Sequence, residues 1–253
     1  MNDEAVATFQ QTLRGRLVRP SDADYDSVRA LYNGMIDKRP RLIARAVDAA
    51  DVIAAVNFAR EQGLLLAIRG GGHNGPGLGS CDDGLVIDLS LLKSVRVDPA
   101  SKTVRVEPGC TSADVDHATH AFGLAVPFGI VGSTGVAGLT LGGGTGYLTR
   151  KFGLTVDNLL EADVVLADGR FVTASAKENP DLFWALRGGG GNFGVVTSFL
   201  FQAHPVNMVF AGPIFWDAAK DGRTVMRAFR DFLPNAPEEL GTFVGLKTVP
   251  PMD

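Results

Sequence analysis

Cysteine is nearly missing from this chain: Cys81 and Cys110 are the two in 253 residues. That excludes a disulfide framework, and no C-x-x-C or paired His/Cys spacing outlines a metal site. Both cysteines read as ordinary buried or loop thiols. Long apolar runs are missing too, since no window reaches the roughly 18 uninterrupted apolar residues that span a bilayer. The start, Met1-Asn2-Asp3-Glu4, is acidic where a secretory signal is basic, so the expectation is a cytoplasmic protein with no membrane partner. Dense Lys/Arg clusters are absent, and a formal net charge of -4 argues against nucleic acid as the partner. No repeat of 20–50 residues recurs. With 45% hydrophobic and 21% charged residues, the chain is a globular protein large enough for one big core or two smaller ones.

Glycine, by contrast, is abundant at 31 residues, and much of it gathers in three clusters: Gly70–Gly79, Gly129–Gly146 and Gly188–Gly194. The first follows the apolar run Leu64-Leu65-Leu66-Ala67-Ile68, so a buried strand empties into Arg69-Gly70-Gly71-Gly72-His73-Asn74. Three glycines can take backbone angles closed to other residues and turn successive N–H groups into an anion-binding nest. The plain alternative is a surface loop. Gly70-x-Gly72-x-x-Gly75 also matches the dinucleotide fingerprint. That motif needs a helix to open on the third glycine, and Pro76-Gly77-Leu78-Gly79 cannot begin one. Together the clusters suggest a large, flat ligand lying against main chain, or else three unrelated loops.

The elements alternate as in an α+β protein. Residues 1–35 read as one or two short helices, with Ala5, Phe9 and Leu13 and then Tyr25, Val28, Leu31 and Met35 at helical spacing. Asp48 caps a helix stopped by Gly63. Gly84–Leu89 is a short strand, Val95–Val97 and Thr103–Glu107 form a hairpin around Asp98-Pro99-Ala100, and Glu161–Ser175 forms another around Asp168-Gly169. Thr111 or Ser112 opens a helix ending near Gly123. Asn179-Pro180-Asp181 opens one halted by Gly188–Gly191. Val195–Gln202 is a strand. Beyond Pro205, Met208–Trp216 and Gly241–Val249 read as strands flanking an amphipathic helix, Ala218–Leu233. His117 and His120 lie three apart on a predicted helix, and with no third ligand they read as a helix face. His204 receives no role.

Several long motifs in order then give a resemblance. Arg69-Gly-Gly-Gly-His73-Asn74, Val86-Ile-Asp-Leu-Ser90, Val136 through Gly146, Arg150-Lys-Phe-Gly-Leu-Thr-Val-Asp-Asn158, Asp181 through Gly188 and Gly191 through Ser198 resemble the flavoproteins of the vanillyl-alcohol oxidase and p-cresol methylhydroxylase (PCMH) superfamily. The match is to the berberine-bridge-enzyme-like branch. It spans roughly Pro40 to Pro205. It implies a PCMH-type FAD-binding domain of two α+β subdomains over 36–206, after an N-terminal helical segment (1–35) and before the start of an incomplete substrate-binding domain (207–253). It implies FAD as cofactor, covalently attached through His73, with the pyrophosphate on the amides of Gly70 to Asn74. Further cofactor contacts are implied at Arg69, Gly75, Val131, Ser133, Thr134, Gly135, Gly138, Gly143 and Val196. The activity implied is transfer of a hydride from a small-molecule C–H beside a hydroxyl or amine to flavin, which dioxygen or another acceptor reoxidises.

The chain departs from the family pattern in places. A second flavin bond from cysteine would fall at Val131, which has no sulfur, so one bond is expected. Thr145 replaces the tyrosine common in the plant branch. The polar Thr134 stands where the family places a residue governing dioxygen access, leaving oxidase and dehydrogenase both open, and the catalytic base is not identifiable. Apolar strands without sheet partners after Pro205 point to a fragment, a truncated product, a homo-oligomer or a complementing chain. A flavin-binding module without independent catalysis is the alternative to an enzyme.

Overall fold

The computed structural model describes residues 2–206 and 208–248. Helix α1 (Asp3–Thr12) begins where the Asn2 side chain accepts the Ala5 amide, and it places Val6 and Phe9 in the core. Strand β1 (Arg16–Val18) and helix α2 (Tyr25–Arg29) follow. Helical spacing predicts only helices up to Met35; instead β1 intervenes, and Tyr32–Met35 form bends and turns. The cause is tertiary. The carboxylate of Asp51, 1% exposed, accepts the amides of Arg14 (2.8 Å), Gly15 (2.9 Å) and Val47 (3.0 Å), and so turns the chain out of α1 and into the sheet. Gly15 is required there, because a Cβ would sit 2.0 Å from the Arg45 carbonyl oxygen.

Strands β2 (Leu42–Arg45), β3 (Leu66–Arg69) and β4 (Leu85–Asp88) complete the first sheet, in the order β1-β2-β4-β3. β4 runs parallel to both neighbours, and helix α3 (Ala49–Glu61) makes the crossover from β2 to β3. The cap on α3 is the expected one: Asp48 accepts the Asp51 amide at 3.0 Å, and Gly63 beyond the helix takes φ +62. Val52, Ala55, Val56 and Ala59 on one face of α3 pack with Phe9, Leu42, Leu85 and Ile87. Each fully buried aliphatic side chain here stabilises the fold by about 1.5–3 kcal/mol relative to exposure.

The second subdomain is antiparallel. Strands β5 (Val95–Asp98) and β6 (Thr103–Val106) form the first expected hairpin, and helix α4 (Ser112–His120) follows on a capping box between Thr111 and Asp114. Next come β7 (Leu124–Ala125), α5 (Val136–Leu141) and α6 (Thr149–Phe152). Strands β8 (Leu159–Val165) and β9 (Phe171–Ser175) make the second hairpin, with Gly169 at φ +85. Helix α7 (Pro180–Leu186) and strand β10 (Val195–Gln202) complete the sheet, ordered β5-β6-β10-β8-β9. Strand β11 (His204–Pro205) pairs with β7. Helices α4, α5 and α7 cover a core that includes Val104, Val106, Leu141, Phe199 and Phe201. Val165 and Val195 of this sheet pack into the first core, so the two α+β subdomains share a boundary.

Helix α8 (Ala218–Phe232) matches the sequence expectation and is capped by Asp217, which accepts the Ala219 and Lys220 amides at 2.9 and 3.1 Å. The strands expected at Met208–Trp216 and Gly241–Val249 are not found among the described residues, and Val249 lies outside them. A strand exists by pairing, and among the described residues these segments have no neighbouring strand to pair with. Arg150 ties the region back by donating to the carbonyls of Leu233 (2.9 Å) and Ala236 (2.8 Å). Among the described residues no helix is long and apolar enough to cross a membrane.

Candidate functional site

Where β3 ends, its last residue is locked from below. Asp88 closes β4 between two arginines in register on parallel strands, Arg45 of β2 and Arg69 of β3. Its carboxylate is fully buried and meets Arg69 at 2.7 Å, Arg45 at 3.2 Å and the Ser90 amide at 3.0 Å. Burial pushes the Asp88 carboxyl up, but the Arg69 hydrogen bond and charge outweigh it, with help from Ser90, and hold it below the usual carboxylate range. Arg69 also donates to the carbonyls of Val28 and Ala30. The Arg69 side chain is thus a pillar under the glycine loop, placed there by its partners.

The loop itself runs from Gly70 to Gly75, and Gly72 takes φ +69, the left-handed region glycine favours. Its carbonyls are tied down: Gly72 O accepts from Tyr32 N (3.2 Å) and Gly75 O from the Asn33 side chain (3.0 Å). Asn74 caps the following turn, its Oδ1 accepting from Leu78 N at 2.9 Å and its carbonyl from Gly77 N at 3.0 Å. The N–H groups are treated oppositely. Among the described residues, no amide from Gly70 to Gly75 donates to a protein acceptor. No helix opens on Gly75, in keeping with a nest and not with the dinucleotide turn.

The second cluster is pressed against the first. A Cβ on Gly71 would stand 2.5 Å from Gly135 Cα, and one on Gly135 would stand 2.5 Å from Gly71 N. Two backbones touch where only two glycines fit. Gly71→Ala is expected to force these loops apart and cost about 1–3 kcal/mol, as overpacking elsewhere does; thermal melting of the variant checks it, and an unchanged melt means the loops yield freely. Gly132 O, Thr134 O and Val136 N are in turn bonded to Ala113, Ser112 and Cys110, which fixes the cluster to the start of α4. The third cluster joins through Gly188, whose amide donates to Leu141 O at the end of α5 at 3.1 Å.

His73 sits at this junction. Its Nε2 lies 3.0 Å from Ser133 Oγ, and the Tyr32 ring stacks on it at 3.9 Å between centroids. Val131 is half exposed, Thr134 lies at the Gly71 contact, and Gly138 is exposed on α5 with nothing within 4 Å of where a Cβ would be. Gly143 differs, because it holds φ +108 and is itself buried. Val196 has its side chain in the core of the second subdomain, which leaves only its backbone available to a ligand. A cleft of about 380 Å³ is lined by Tyr32, Arg69, Gly70–Gly72, Ser90 and Lys93 among others. A larger groove of about 490 Å³ between α1 and α3 shares no residue with these loops.

Cys81 and Cys110 are buried. Burial pushes both thiols up, Cys110 to about 12 with Asp114 adding to it, so neither is a ready nucleophile. His117 and His120 are exposed on α4. His204 stacks on Phe152 and contacts Asn158 Oδ1 at 2.6 Å. The Asn158 amide nitrogen is spent on the carbonyls of Phe152 and Leu154, so His204 Nε2 is the donor, and burial pushes its pKa down. Tyr32, Asn33, Arg45 and the structural role of Asp88 escaped the sequence reading. An aspartate ending the run Leu85-Val86-Ile87 is a signal that could have found Asp88 and its arginines, whereas Tyr32 and Asn33 carry no such mark.

Free amides in succession, and a backbone contact that any Cβ would fill, fit a pyrophosphate lying on main chain. Residues 40–175 match the model of an FAD-binding domain. The chain is 41% identical over 217 residues to an FAD-linked oxidoreductase of Dictyostelium discoideum, covering 85% of this chain and 48% of that protein. It is 40% identical over 206 residues to the (R)-6-hydroxynicotine oxidase of Paenarthrobacter nicotinovorans, covering 81% and 45%. The solved berberine-bridge-enzyme-like 1 of Physcomitrella patens superposes with a TM-score of 0.75 at 34% identity, over 79% of this chain and 44% of that one. The chain therefore spans about half the length of the curated relatives it matches. A loop built to offer unpaired amides fits that match, which covers more than half the chain, and the chain belongs to the FAD-binding domain family, alongside relatives named as FAD-linked oxidoreductases and a berberine-bridge-enzyme-like protein.

Proposed function

We propose that the protein takes a hydride from a small-molecule C–H beside a hydroxyl or amine, using FAD linked covalently to His73. Residues 36–206 are the FAD-binding domain in this reading, and 207–253 begin the substrate-binding domain. The observation that carries it is the run of amides from Gly70 to Gly75 with no acceptor among the described residues, set beside an imidazole. Bound FAD would supply a two-electron acceptor whose electrons then pass to dioxygen or another oxidant. The chain's own residues bind and orient. Gly70 to Gly75 offer N–H groups to the pyrophosphate, Arg69 and Asp88 hold that loop rigid, Gly135 lets the second cluster close on it, and Ser133, Thr134, Gly138 and Gly143 line the approach. His73 prevents cofactor loss.

Anaerobic mixing with a panel of alcohols, sugars and cyclic amines tests the reading, with bleaching of the flavin absorption as the expected result. Flavin bands that no donor bleaches favour a binding module, which the exposed Phe210, Phe215, Met226 and Phe243 of the 208–248 region would suit as an assembly surface.

Gly138 gives a cleaner test of the cofactor wall than Gly143. Any side chain at Gly143 meets strained φ with or without ligand, whereas Gly138 is helical and unobstructed. Gly138→Leu is expected to leave the melting temperature of the apoprotein equal or higher, since leucine is the better helix former by up to about 1 kcal/mol. FAD occupancy should nevertheless fall sharply. Normal occupancy in this variant removes α5 from the flavin wall.

A further inference from the structure

We propose that Ser133 is a positioning residue that directs His73 to bond through Nδ1. The inference rests on the histidyl link proposed above. A neutral imidazole carries its proton on one nitrogen and its nucleophilic lone pair on the other. Ser133 Oγ stands 3.0 Å from Nε2 and the Tyr32 ring covers one face of the imidazole, while among the described residues Nδ1 has no hydrogen-bond partner. With Nε2–H donating to Ser133 Oγ, the lone pair resides on Nδ1. The placement of that hydroxyl is built into the fold. Gly71 and Gly135 touch through their backbones, which holds residue 133 of one loop against residue 73 of the other.

In the attachment, the Nδ1 lone pair forms a bond to the flavin's 8-methyl carbon. That carbon gives up one hydrogen and Nε2 gives up its proton. The two electrons and two protons released pass through the cofactor to dioxygen, the oxidant, as hydrogen peroxide. A hydroxyl serves both ends of this change, accepting from Nε2–H beforehand and donating to the bare Nε2 afterwards. A methyl group serves neither.

The test measures the rate at which added FAD becomes acid-stable in the intact protein, for wild type, Ser133→Ala and Ser133→Thr, with NMR of the isolated flavin peptide to identify the bonded nitrogen. Nδ1 attachment in wild type, a Ser133→Ala rate lower by roughly 10- to 100-fold and a Ser133→Thr rate near wild type are expected. Imidazole ¹⁵N shifts of the apoprotein should show Nε2 protonated in wild type and lose that preference in Ser133→Ala. Attachment through Nε2, or a wild-type rate in Ser133→Ala, overturns the role of Ser133 and leaves the histidyl link standing. Wild-type protein that sheds all its flavin in acid overturns the link and this inference together.

Discussion

His73→Ala is expected to release all flavin on acid precipitation, while the parent protein keeps its flavin through denaturation. The reason is local. Among the described residues the His73 side chain is held by the Ser133 contact and the Tyr32 stack, both at exposed positions. Its loss should therefore change stability by no more than about 0.5 kcal/mol, as substitutions away from buried networks do. The nest itself is backbone and survives the substitution, so FAD should still bind reversibly and dialyse away slowly. Proteolysis of the parent should yield one flavin-bearing peptide, containing His73, because Val131 offers no sulfur. Acid-stable flavin in His73→Ala would move the bond elsewhere, and the alternatives are poor. Cys81 and Cys110 are buried, and the Cys110 thiol is pushed up to about 12, leaving almost no thiolate at neutral pH.

The second large effect is on stability. Asp88→Ala removes the carboxylate shared by Arg45 and Arg69, leaving the Arg69 guanidinium, 9% exposed, without a counter-charge among the described residues. Breaking one side of a buried ion pair costs about 3–5 kcal/mol, which for a chain of this size lowers the melting temperature by roughly 10 °C. The loop above should loosen with it, so FAD affinity should fall as well. Asp88 also sets a pH dependence. Its folded pKa is depressed, so its contribution is present above the unfolded value near about 3.9 and disappears as pH falls through the folded value. Wild type should therefore lose stability in that acid range, and Asp88→Ala should lose less of it. Urea melts at pH 7 and in that range measure both effects. A penalty under about 1 kcal/mol at pH 7 would mean that water reaches the arginines and relieves them.

Much of the scaffold was legible because its signals are local. Asp48, Thr111 and Asn179-Pro180 announce helix starts through groups adjacent in sequence, and the two hairpins follow from period-two alternation around turn residues. The glycine nest could be suspected for the same reason, since a strand that runs into three glycines can turn successive amides one way, although a surface loop reads the same in sequence. The family followed from motifs lying in order along the chain.

What the sequence alone settled was that three segments of side-chain-poor backbone exist and that a histidine tips the first. Only the tertiary structure decided that they meet. The contact of Gly71 with Gly135 joins residues far apart in the chain, and spacing carries no information about such a distance. The buried carboxylates show the same limit. Asp51 reads as an ordinary first-turn acid of a helix, and its three amide partners become visible only when α1 and β1 fold back on it. Asp88 lies between two arginines because parallel register aligns Arg45, Asp88 and Arg69 across three strands. Local order fixes what a segment can be, whereas partners brought by folding fix what it does: β1 forms against β2 between the two stretches of helical spacing, and 208–216, with no such partner among the described residues, forms no strand.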